Sequence, residues 1–252
     1  MTKTPTTLQV ATYNIHKGFS HFNRRLTVYE LRDQLRTIGA DVVFLQEVVG
    51  YSARHALRHK NWPTAPQHEF LADSIWSDFA YGRNAVSDQS HHGNAILSRY
   101  PIVRFDNEDI STNSVEDRGL LHAEIEVPGW PQRLHCVCAH LGLTARGRRI
   151  QMQAVCERIE ALVPMDAPLI LAGDFNDWRA KASDPLGHLG VVEVFEITQG
   201  RPARSFPARL PLLRLDRIYI RGFNVKHAHV HVGAGWLRVS DHVALTANLT
   251  PV

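Results

Sequence analysis

The chain has 252 residues, of which 44% are hydrophobic and 21% are charged, and its formal net charge at pH 7 is +3. This composition is ordinary for a soluble globular protein with one core. No stretch approaches the roughly 18 continuous apolar residues of a membrane-spanning helix, and the threonine-rich start lacks the apolar segment of a signal peptide. We therefore expect a single domain over residues 1–252, cytoplasmic and monomeric, with no transmembrane segment.

The basic residues are mostly arginine, whose planar guanidinium can hold a phosphate at two points. The same residues would equally suit a solvated surface, so composition alone leaves phosphate recognition open. The three cysteines, Cys136, Cys138 and Cys156, lack the loop spacing of a zinc site. We expect them to be buried thiols in a reducing compartment.

Apolar residues alternate between strand and helix patterns along the chain, with no linker, repeat or low-complexity stretch. The pattern predicts a first strand over 8–15, then a helix that stops at Gly39, a strand over 41–46 and a short helix at 70–75. Turn signals then separate successive strands, at 94–100, 101–105, 120–127 and 133–140. A second long helix, with Met152, Val155, Ile159 and Leu162 on one face, is followed by strands at 169–172, 215–220, 224–230 and 242–249. Two runs of strands interrupted by helices predict α/β layers in one domain. Two packed sheets with helices outside are expected as well, in part from the family resemblance of the motifs.

Polar side chains follow or precede several of these apolar strands. They are Asn14, Glu47, His140, the pair Asp174 and Asn176, and the pair Asp241 and His242. Taken singly, each has an ordinary structural explanation, but together they can converge on one cleft. Carboxylate and amide oxygens suit Mg²⁺ or Mn²⁺, and imidazole can stabilise a phosphate transition state. No G-x-S-x-G, Walker loop or CxxC motif competes with this interpretation.

Seven motifs occur in an order that resembles the endonuclease/exonuclease/phosphatase superfamily. They are TYNIHKG (12–18), LQEV (45–48), GNAILSRYP (93–101), AHLGL (139–143), GDFND (173–177), LDRIYI (215–220) and SDH (240–242). This superfamily includes DNase I, neutral sphingomyelinases and tyrosyl-DNA phosphodiesterases. The resemblance implies an α/β fold of four layers, α-β-β-α, in which two packed mixed sheets are flanked by helices. The chain is most similar to a bacterial, YbhP-like branch.

The resemblance also implies roles for the matched positions. Glu47 would be the principal ligand of Mg²⁺ (or Mn²⁺), with Asn14 and Asp241 in or near the metal's shell. Asp174 would position or deprotonate the attacking water. The other implied catalytic residues are Asn176, which would hold that water or a phosphate oxygen; His242, which would contact the scissile phosphate; Asp216, which would orient His242; and His140, which would stabilise the phosphate from another side. An Asp–His pair is physically sensible, because the carboxylate fixes the tautomer and supports the charged imidazolium.

Two features bear on the branch and on the metal count. His140 in an AHL context is similar to DNase I, the sphingomyelinases and the tyrosyl-DNA enzymes, and dissimilar to exonuclease III-type AP endonucleases. His16 stands where that last branch carries an aspartate, which puts a second fully ligated metal in doubt.

Substrate contacts are expected outside the core motifs. The candidates are Asn94, Arg118, Arg146, Arg148 and Arg204, together with neighbouring arginines of the segments 146–149 and 201–214. The segment 146–149 could equally open a solvated helix. Aromatic residues between 62 and 81 could stack bases, but such residues are more often core.

We therefore expect a metal-dependent phosphodiester hydrolase that uses in-line attack by an Asp-activated water. Nucleic acid or a nucleic-acid end is the favoured substrate, and a phospholipid, as in a sphingomyelinase-like enzyme, is the alternative. A non-catalytic binding module should have lost Glu47, Asp174 or His242, and the chain retains all three.

Overall fold

The computed structural model describes residues 5–73, 75–113, 116–179, 181 and 184–252. Its strands are β1 (Leu8–Asn14), β2 (Val42–Ser52), β3 (Asp78–Ser87), β4 (Ser90–Ser98), β5 (Ile102–Asp109), β6 (Gly119–Ile125), β7 (Leu134–His140), β8 (Leu169–Asp174), β9 (Val192–Glu193), β10 (Asp216–Arg221), β11 (Phe223–Val230) and β12 (Leu245–Pro251). Its α-helices are α1 (Val28–Ile38), α2 (Ala53–Arg58), α3 (Gln67–Ala72), α4 (Ala145–Leu162) and α5 (Val194–Gln199). Short 3-10 turns lie at His16–Gly18, His21–Asn23 and Asp184–Leu189.

These strands form two six-stranded sheets. The first sheet has the order β11-β12-β1-β2-β4-β3, and the second has the order β5-β6-β7-β8-β10-β9. Both sheets are mixed, since β1 runs parallel to β2 and β7 runs parallel to β8 while the other pairs are antiparallel. The prediction of two packed mixed sheets flanked by helices is confirmed.

Three apolar cores hold the layers together. The inner faces of the sheets meet through residues such as Val10 and Phe44 from the first sheet and Ile170 from the second. The outer face of the first sheet packs against α1 and α3, and that of the second packs against α4. Because the central strands are covered on both faces, β1, β7 and β8 are buried almost throughout rather than on alternate residues.

The two long helices form where the apolar spacing predicts them. In α1 the buried residues are Val28, Leu31, Leu35 and Ile38, and the helix ends at Gly39 in the left-handed conformation. In α4 the side chain of Thr144 caps the first turn by accepting the N–H of Gly147. Its buried face includes Met152, Val155 and Ile159.

Some elements differ from the sequence prediction. Strand β2 continues to Ser52 because a bulge between Leu45 and Val48 lets the ladder resume beyond Glu47. Strand β3, which was not predicted, is a sheet edge in which only Ala80 and Gly82 are buried and the hydrophobic residues Phe79 and Val86 are exposed. Trp76 lies in the core, with its indole N–H donated to the carbonyl oxygen of Ala40 at 2.9 Å.

The cysteines are buried with free thiols. Burial raises the pKa of Cys138 to about 12, so this thiol is an inert part of the core. None of the helices in the described ranges is both long and apolar enough to span a bilayer.

A buried histidine pair on the outer face of the second sheet predicts acid lability. His122 Nε2 lies 3.0 Å from His135 Nδ1, and burial with the charge of His135 lowers the pKa of His122 to about 4. A histidine with a lowered folded-state pKa takes up a proton on unfolding, so its stabilisation is present above pH 6.5 and is lost as the pH falls towards 4. Between pH 7 and pH 4 the unfolding free energy of the parent should fall by about 3 kcal/mol more than that of His122→Gln. Urea unfolding at each pH measures this loss, and exposed His227→Gln serves as the control.

Candidate active site

Strand pairing brings the predicted polar residues to one end of the two sheets. His140 ends β7 and pairs in register with Asp174, the last residue of β8. Asp174 also pairs with Asp216, the first residue of β10. Asn14 ends β1 in the facing sheet. The site therefore forms where the ends of strands from both sheets meet.

His242 lies between two carboxylates at the centre of this site. Its Nδ1 is 2.8 Å from Asp216 Oδ2, and its Nε2 is 3.7 Å from Asp174 Oδ2. All three residues are buried. Burial opposes protonation of the imidazole, but the charges of Asp216 and Asp174 outweigh it and raise the pKa of His242 to about 10. At neutral pH His242 is therefore a fixed imidazolium.

His140 is close by but neutral. Its Nε2 lies 3.7 Å from the same Asp174 Oδ2. Burial, together with the positive charge of Arg118, lowers the pKa of His140 to about 4. The site thus holds one charged and one neutral histidine around Asp174. His242 loses its proton only at high pH and His140 gains one only at low pH, so the two imidazoles titrate in different pH ranges.

Asn14 links the two acidic residues on the other side. Its Nδ2 lies 3.0 Å from Asp174 Oδ2 and 3.3 Å from Glu47 Oε1. Its Oδ1 accepts the backbone N–H of His16 at 3.1 Å, which orients the amide. Asn14, Glu47 and Asp174 therefore converge, although their sequence positions are far apart.

Glu47 occupies the bulge of β2 rather than the end of a strand. Its φ of 58° lies in the left-handed region, a strained conformation for a side-chain-bearing residue. Burial opposes ionisation, but the positive charges of His140 and Lys17, followed by those of His16 and His242, lower the pKa of Glu47 to about 2. Because His140 is itself neutral at pH 7, Lys17 and His242 supply this positive charge there.

Asp241 lies beside His16, with 3.4 Å between Asp241 Oδ1 and His16 Nδ1. The loop 201–215 supports it, because Ala208 donates its N–H to the Asp241 carbonyl oxygen at 2.6 Å. The ring of Phe206, in the same loop, lies 5.0 Å from the His242 ring. The loop therefore forms one wall of the site.

The GDFND segment is held by hydrogen bonds of Asp174 and Asn176. Asn176 has a φ of 48°, its N–H donates to Asp174 Oδ1 at 2.9 Å, and its Nδ2 donates to the Leu141 carbonyl oxygen at 2.9 Å. One amide N–H and Oδ1 remain available to a ligand. The preceding Gly173 has a φ of 150°, and a Cβ there would overlap the carbonyl oxygen of Ala139.

A metal ion could be held by more than one set of these groups. Asp174, Asp216 and His242 offer ligand atoms within 4.8 Å of one another. A cationic His242 cannot ligate a metal, which makes this set less suitable than the carboxylate oxygens of Glu47. Glu47, ionised and held on a bulge, fits the hard-oxygen chemistry of Mg²⁺ or Mn²⁺.

The predicted substrate contacts fall into different environments. Arg118 is half-buried beside His140, with its Nε donated to the Leu141 carbonyl oxygen at 3.2 Å. Arg146 and Arg204 are exposed. Asn94 is fully buried between the sheets, where its Nδ2 donates to the carbonyl oxygens of Gly119 and Cys138, so only its Oδ1 lacks a partner.

Arg148 also lies in a protein-bound position. Its Nη1 donates to the carbonyl oxygens of Gly142 at 3.3 Å and Leu143 at 2.7 Å. Its guanidinium stands 4.8 Å from the centre of the Trp178 ring. These contacts secure the AHLGL loop against α4.

Several supporting residues were not predicted from the sequence. Ser240 donates its hydroxyl to the Asn14 carbonyl oxygen at 2.7 Å, and Ser205 Oγ accepts the N–H of Asp216 at 3.1 Å. Arg217 is fully buried and joins the LDRIYI motif to the GDFND motif, since its Nη2 donates to the Asp177 carbonyl oxygen at 3.1 Å. Of these three residues, Ser240 belongs to the SDH motif and Arg217 to the LDRIYI motif, whereas Ser205 belongs to none of the seven motifs.

Two packed mixed sheets with acidic residues and histidines at one end define the class of DNase I-like hydrolases of phosphoric esters. Residues 11–242 match the model of the Endonuclease/Exonuclease/phosphatase family, and the chain belongs to that family. "Uncharacterized protein YbhP" of Escherichia coli (strain K12) is 48% identical over 242 residues, which are 96% of this chain and 95% of that protein.

Solved structures share the fold at low sequence identity. An endonuclease/exonuclease/phosphatase from Beutenbergia cavernae superposes with a TM-score of 0.77 at 20% identity, covering 98% of this chain and 72% of that one. D. rerio TDP2, complexed with single strand DNA product, gives a TM-score of 0.68 at 19% identity, covering 98% of this chain and 100% of that one.

Proposed function

We propose that this protein is a divalent-metal-dependent phosphodiesterase that cleaves nucleic acid, or a nucleic-acid end, by in-line attack of water. The observation that carries the proposal is the buried imidazolium of His242, held between Asp216 and Asp174. A positive charge fixed in a water-poor site suits the extra negative charge that develops on a phosphate under attack.

Asp174 is the candidate for activating the water. Its Oδ1 accepts the Asn176 N–H and its Oδ2 faces Asn14, His140 and His242. These contacts fix the direction of a carboxylate that retains lone pairs for a water molecule. Asn176 would hold that water or a phosphate oxygen through its free amide groups. His140 would donate a hydrogen bond to the phosphate from another side than His242.

Glu47 and Asn14 would hold the metal, with Asp241 near its shell. A bound Mg²⁺ or Mn²⁺ would polarise the phosphate and lower the pKa of water. The fit rests on the ionised Glu47 carboxylate. Asn14 adjoins Glu47 and Asp174 through its Nδ2, and it would ligate through Oδ1 after its amide turns.

The proposed preference for nucleic acid draws on two supports. TDP2, a relative in fold, is described in complex with single strand DNA product. The half-buried Arg118 and the exposed Arg146 and Arg204 offer guanidinium groups to backbone phosphates.

A phospholipid substrate is the second candidate, favoured by one specific observation. The loop 201–215 exposes Leu210 by 64%, Leu212 by 53% and Leu213 by 39%. Its base contacts Asp241 and His242, so these leucines stand at the rim of the site. Leucines there would suit acyl chains better than bases.

A substrate panel separates these functions. Bis-p-nitrophenyl phosphate, single-stranded and duplex DNA, a 5′-tyrosyl oligonucleotide and sphingomyelin vesicles are incubated with Mg²⁺ and with EDTA. We expect Mg²⁺-dependent hydrolysis of the diester and of at least one nucleic acid. Hydrolysis confined to vesicles would favour the lipid candidate, and EDTA-resistant hydrolysis would exclude the proposed metal dependence.

The metal assignment predicts a loss of affinity in a Glu47→Gln variant. The substitution removes the ionised oxygen that suits a hard cation but keeps the shape of the side chain. We expect Mn²⁺ affinity, measured by calorimetry on folded protein, to fall by about tenfold or more. Glu69→Gln, an exposed change on α3, is the matched control. Unchanged Mn²⁺ binding in the Glu47 variant would place the metal elsewhere.

A further inference from the structure

The short left-handed turn at His16–Gly18 lies beside the active site and is tightly fixed. His16 and Lys17 have φ values of 45° and 58°, which are unfavourable for residues that carry a Cβ. Such conformations persist where neighbouring groups hold them, and they often occur at functional sites. Gly18 is fixed as well, because its N–H donates to the Ile15 carbonyl oxygen and its own carbonyl oxygen accepts the N–H of Thr27.

Gln67 is the side chain that holds this turn. It is buried, its Nε2 donates to the Lys17 carbonyl oxygen at 2.8 Å, and its Oε1 accepts the N–H of Val49 at 2.9 Å. Val49 lies two residues after Glu47 on β2. One buried amide therefore ties Lys17 to the strand that carries the principal candidate metal ligand. The fit is close, since a Cβ on Gly18 would lie 2.6 Å from Gln67 Nε2.

The Lys17 side chain is half-buried at the edge of the site. It comes three residues after Asn14, the end of β1 in the candidate active site. Burial and His140 influence the pKa of Glu47 most, and the Lys17 charge is the next influence that lowers it. The same charge adds to burial in lowering the pKa of His92, so the ammonium lies within electrostatic range of both groups. The charge of Arg118 also contributes to the lowered pKa of His92, after burial and Lys17. Across the described part of the chain, Lys17 forms no ion pair within 4.0 Å.

We propose that Lys17 binds a second phosphate group of the substrate, next to the scissile phosphodiester, and that Gln67 positions Lys17 for this contact. The proposal rests on the phosphodiesterase function proposed above. A lysine that served only as the counter-charge of Glu47 would be repelled once that carboxylate held a divalent cation. An anionic group of the substrate removes this repulsion, and an ammonium with three donors suits a phosphate.

Substrate pairs that differ by one phosphate test the proposal. Thymidylyl-thymidine is compared with its 5′-phosphorylated and 3′-phosphorylated forms, and glycerophosphoinositol is compared with its 4-phosphate. The parent protein should show kcat/KM at least about tenfold higher for the phosphorylated member of one pair, the gain of a charge-assisted contact. The pair that shows the gain distinguishes a nucleic-acid strand from a lipid headgroup as the source of the second phosphate.

The same ratio of kcat/KM values, phosphorylated over unphosphorylated substrate, is measured for each variant. Effects of a substitution on the chemical step that are common to both substrates cancel in this ratio. Lys17→Met should bring the ratio to about one and Lys17→Arg should keep most of it. Gln67→Met, which retains Lys17 but frees its turn, should also lower the ratio. Lys226→Met, on the exposed side of β11, should keep the parent ratio. Thermal unfolding checks that each variant is folded.

Equilibrium binding of the same pairs, measured by calorimetry with Ca²⁺ in place of Mg²⁺, gives a second readout that needs no turnover. A parent ratio near one in every pair, in both rates and binding, would overturn the role of Lys17. So would a Lys17→Met variant that weakens both members of a pair equally. If the parent hydrolyses neither these diesters nor bis-p-nitrophenyl phosphate, the proposed function fails, while the binding ratio still decides the role of Lys17.

Discussion

Replacing His242 with alanine is expected to lower kcat for a simple phosphodiester by about a thousandfold or more. The imidazolium lies between Asp216 and Asp174 in a buried site, where a charge aimed at the transition state contributes about 4 kcal/mol. The measurement is steady-state hydrolysis of bis-p-nitrophenyl phosphate at saturating Mg²⁺. His229→Ala, an exposed change on β11, should retain the parent rate.

Asp216→Asn tests whether the charge on His242, rather than its bulk, matters. Burial alone lowers the pKa of this imidazole, and Asp216 is the largest of the influences that raise it to about 10. Without that carboxylate the pKa falls, so His242 loses its proton at a lower pH. The parent should keep this group charged until the pH approaches 10, whereas the variant should lose kcat/KM at a lower pH than the parent. Superimposable pH–rate profiles for the two proteins would contradict the assignment.

Gly173→Ala is expected to destabilise the fold by about 3 kcal/mol or more and to abolish activity. Gly173 has a φ of 150°, and an added Cβ would overlap the Ala139 carbonyl oxygen in the parallel pairing of β7 with β8. Either strand must move, which separates His140 from Asp174. Urea unfolding monitored by tryptophan fluorescence measures the change.

Gly187→Ala is the matched control for this substitution. A Cβ at Gly187 meets no atom of the described residues within 4 Å. Its unfolding free energy should stay within about 1 kcal/mol of the parent value. Equal effects of the two substitutions would show that the contact with Ala139 is not the cause.

The residues that sequence reasoning found share a local signal. Asn14, His140 and Asp174 each end a strongly apolar strand, so their strands and their convergence could be anticipated from pattern and motif order. The residues that it missed act over long distances in the chain. Gln67 reaches Lys17 and Val49 from a six-residue helix, and nothing in its own segment indicates those partners.

Backbone irregularity accounts for the remaining differences. An apolar run predicted a strand that stops at 46, whereas a bulge at Glu47 lets β2 continue to Ser52. A bulge has no hydrophobic period of its own, because it is defined by pairing with β4. The edge strand β3 was missed for a similar reason, since ladder hydrogen bonds rather than buried side chains hold most of its residues.

The order of the strands has a consequence for synthesis on the ribosome. The second sheet is built from β5 to β10 without interruption, but the first sheet begins with β1 to β4 and is finished only by β11 and β12. A nascent chain that ends at Arg221 exposes the edge of β1 that β12 later covers, an edge open to wrong pairing. It also lacks Asp241 and His242, which lie between β11 and β12. The candidate active site is therefore complete only after translation has passed His242, near the end of the chain.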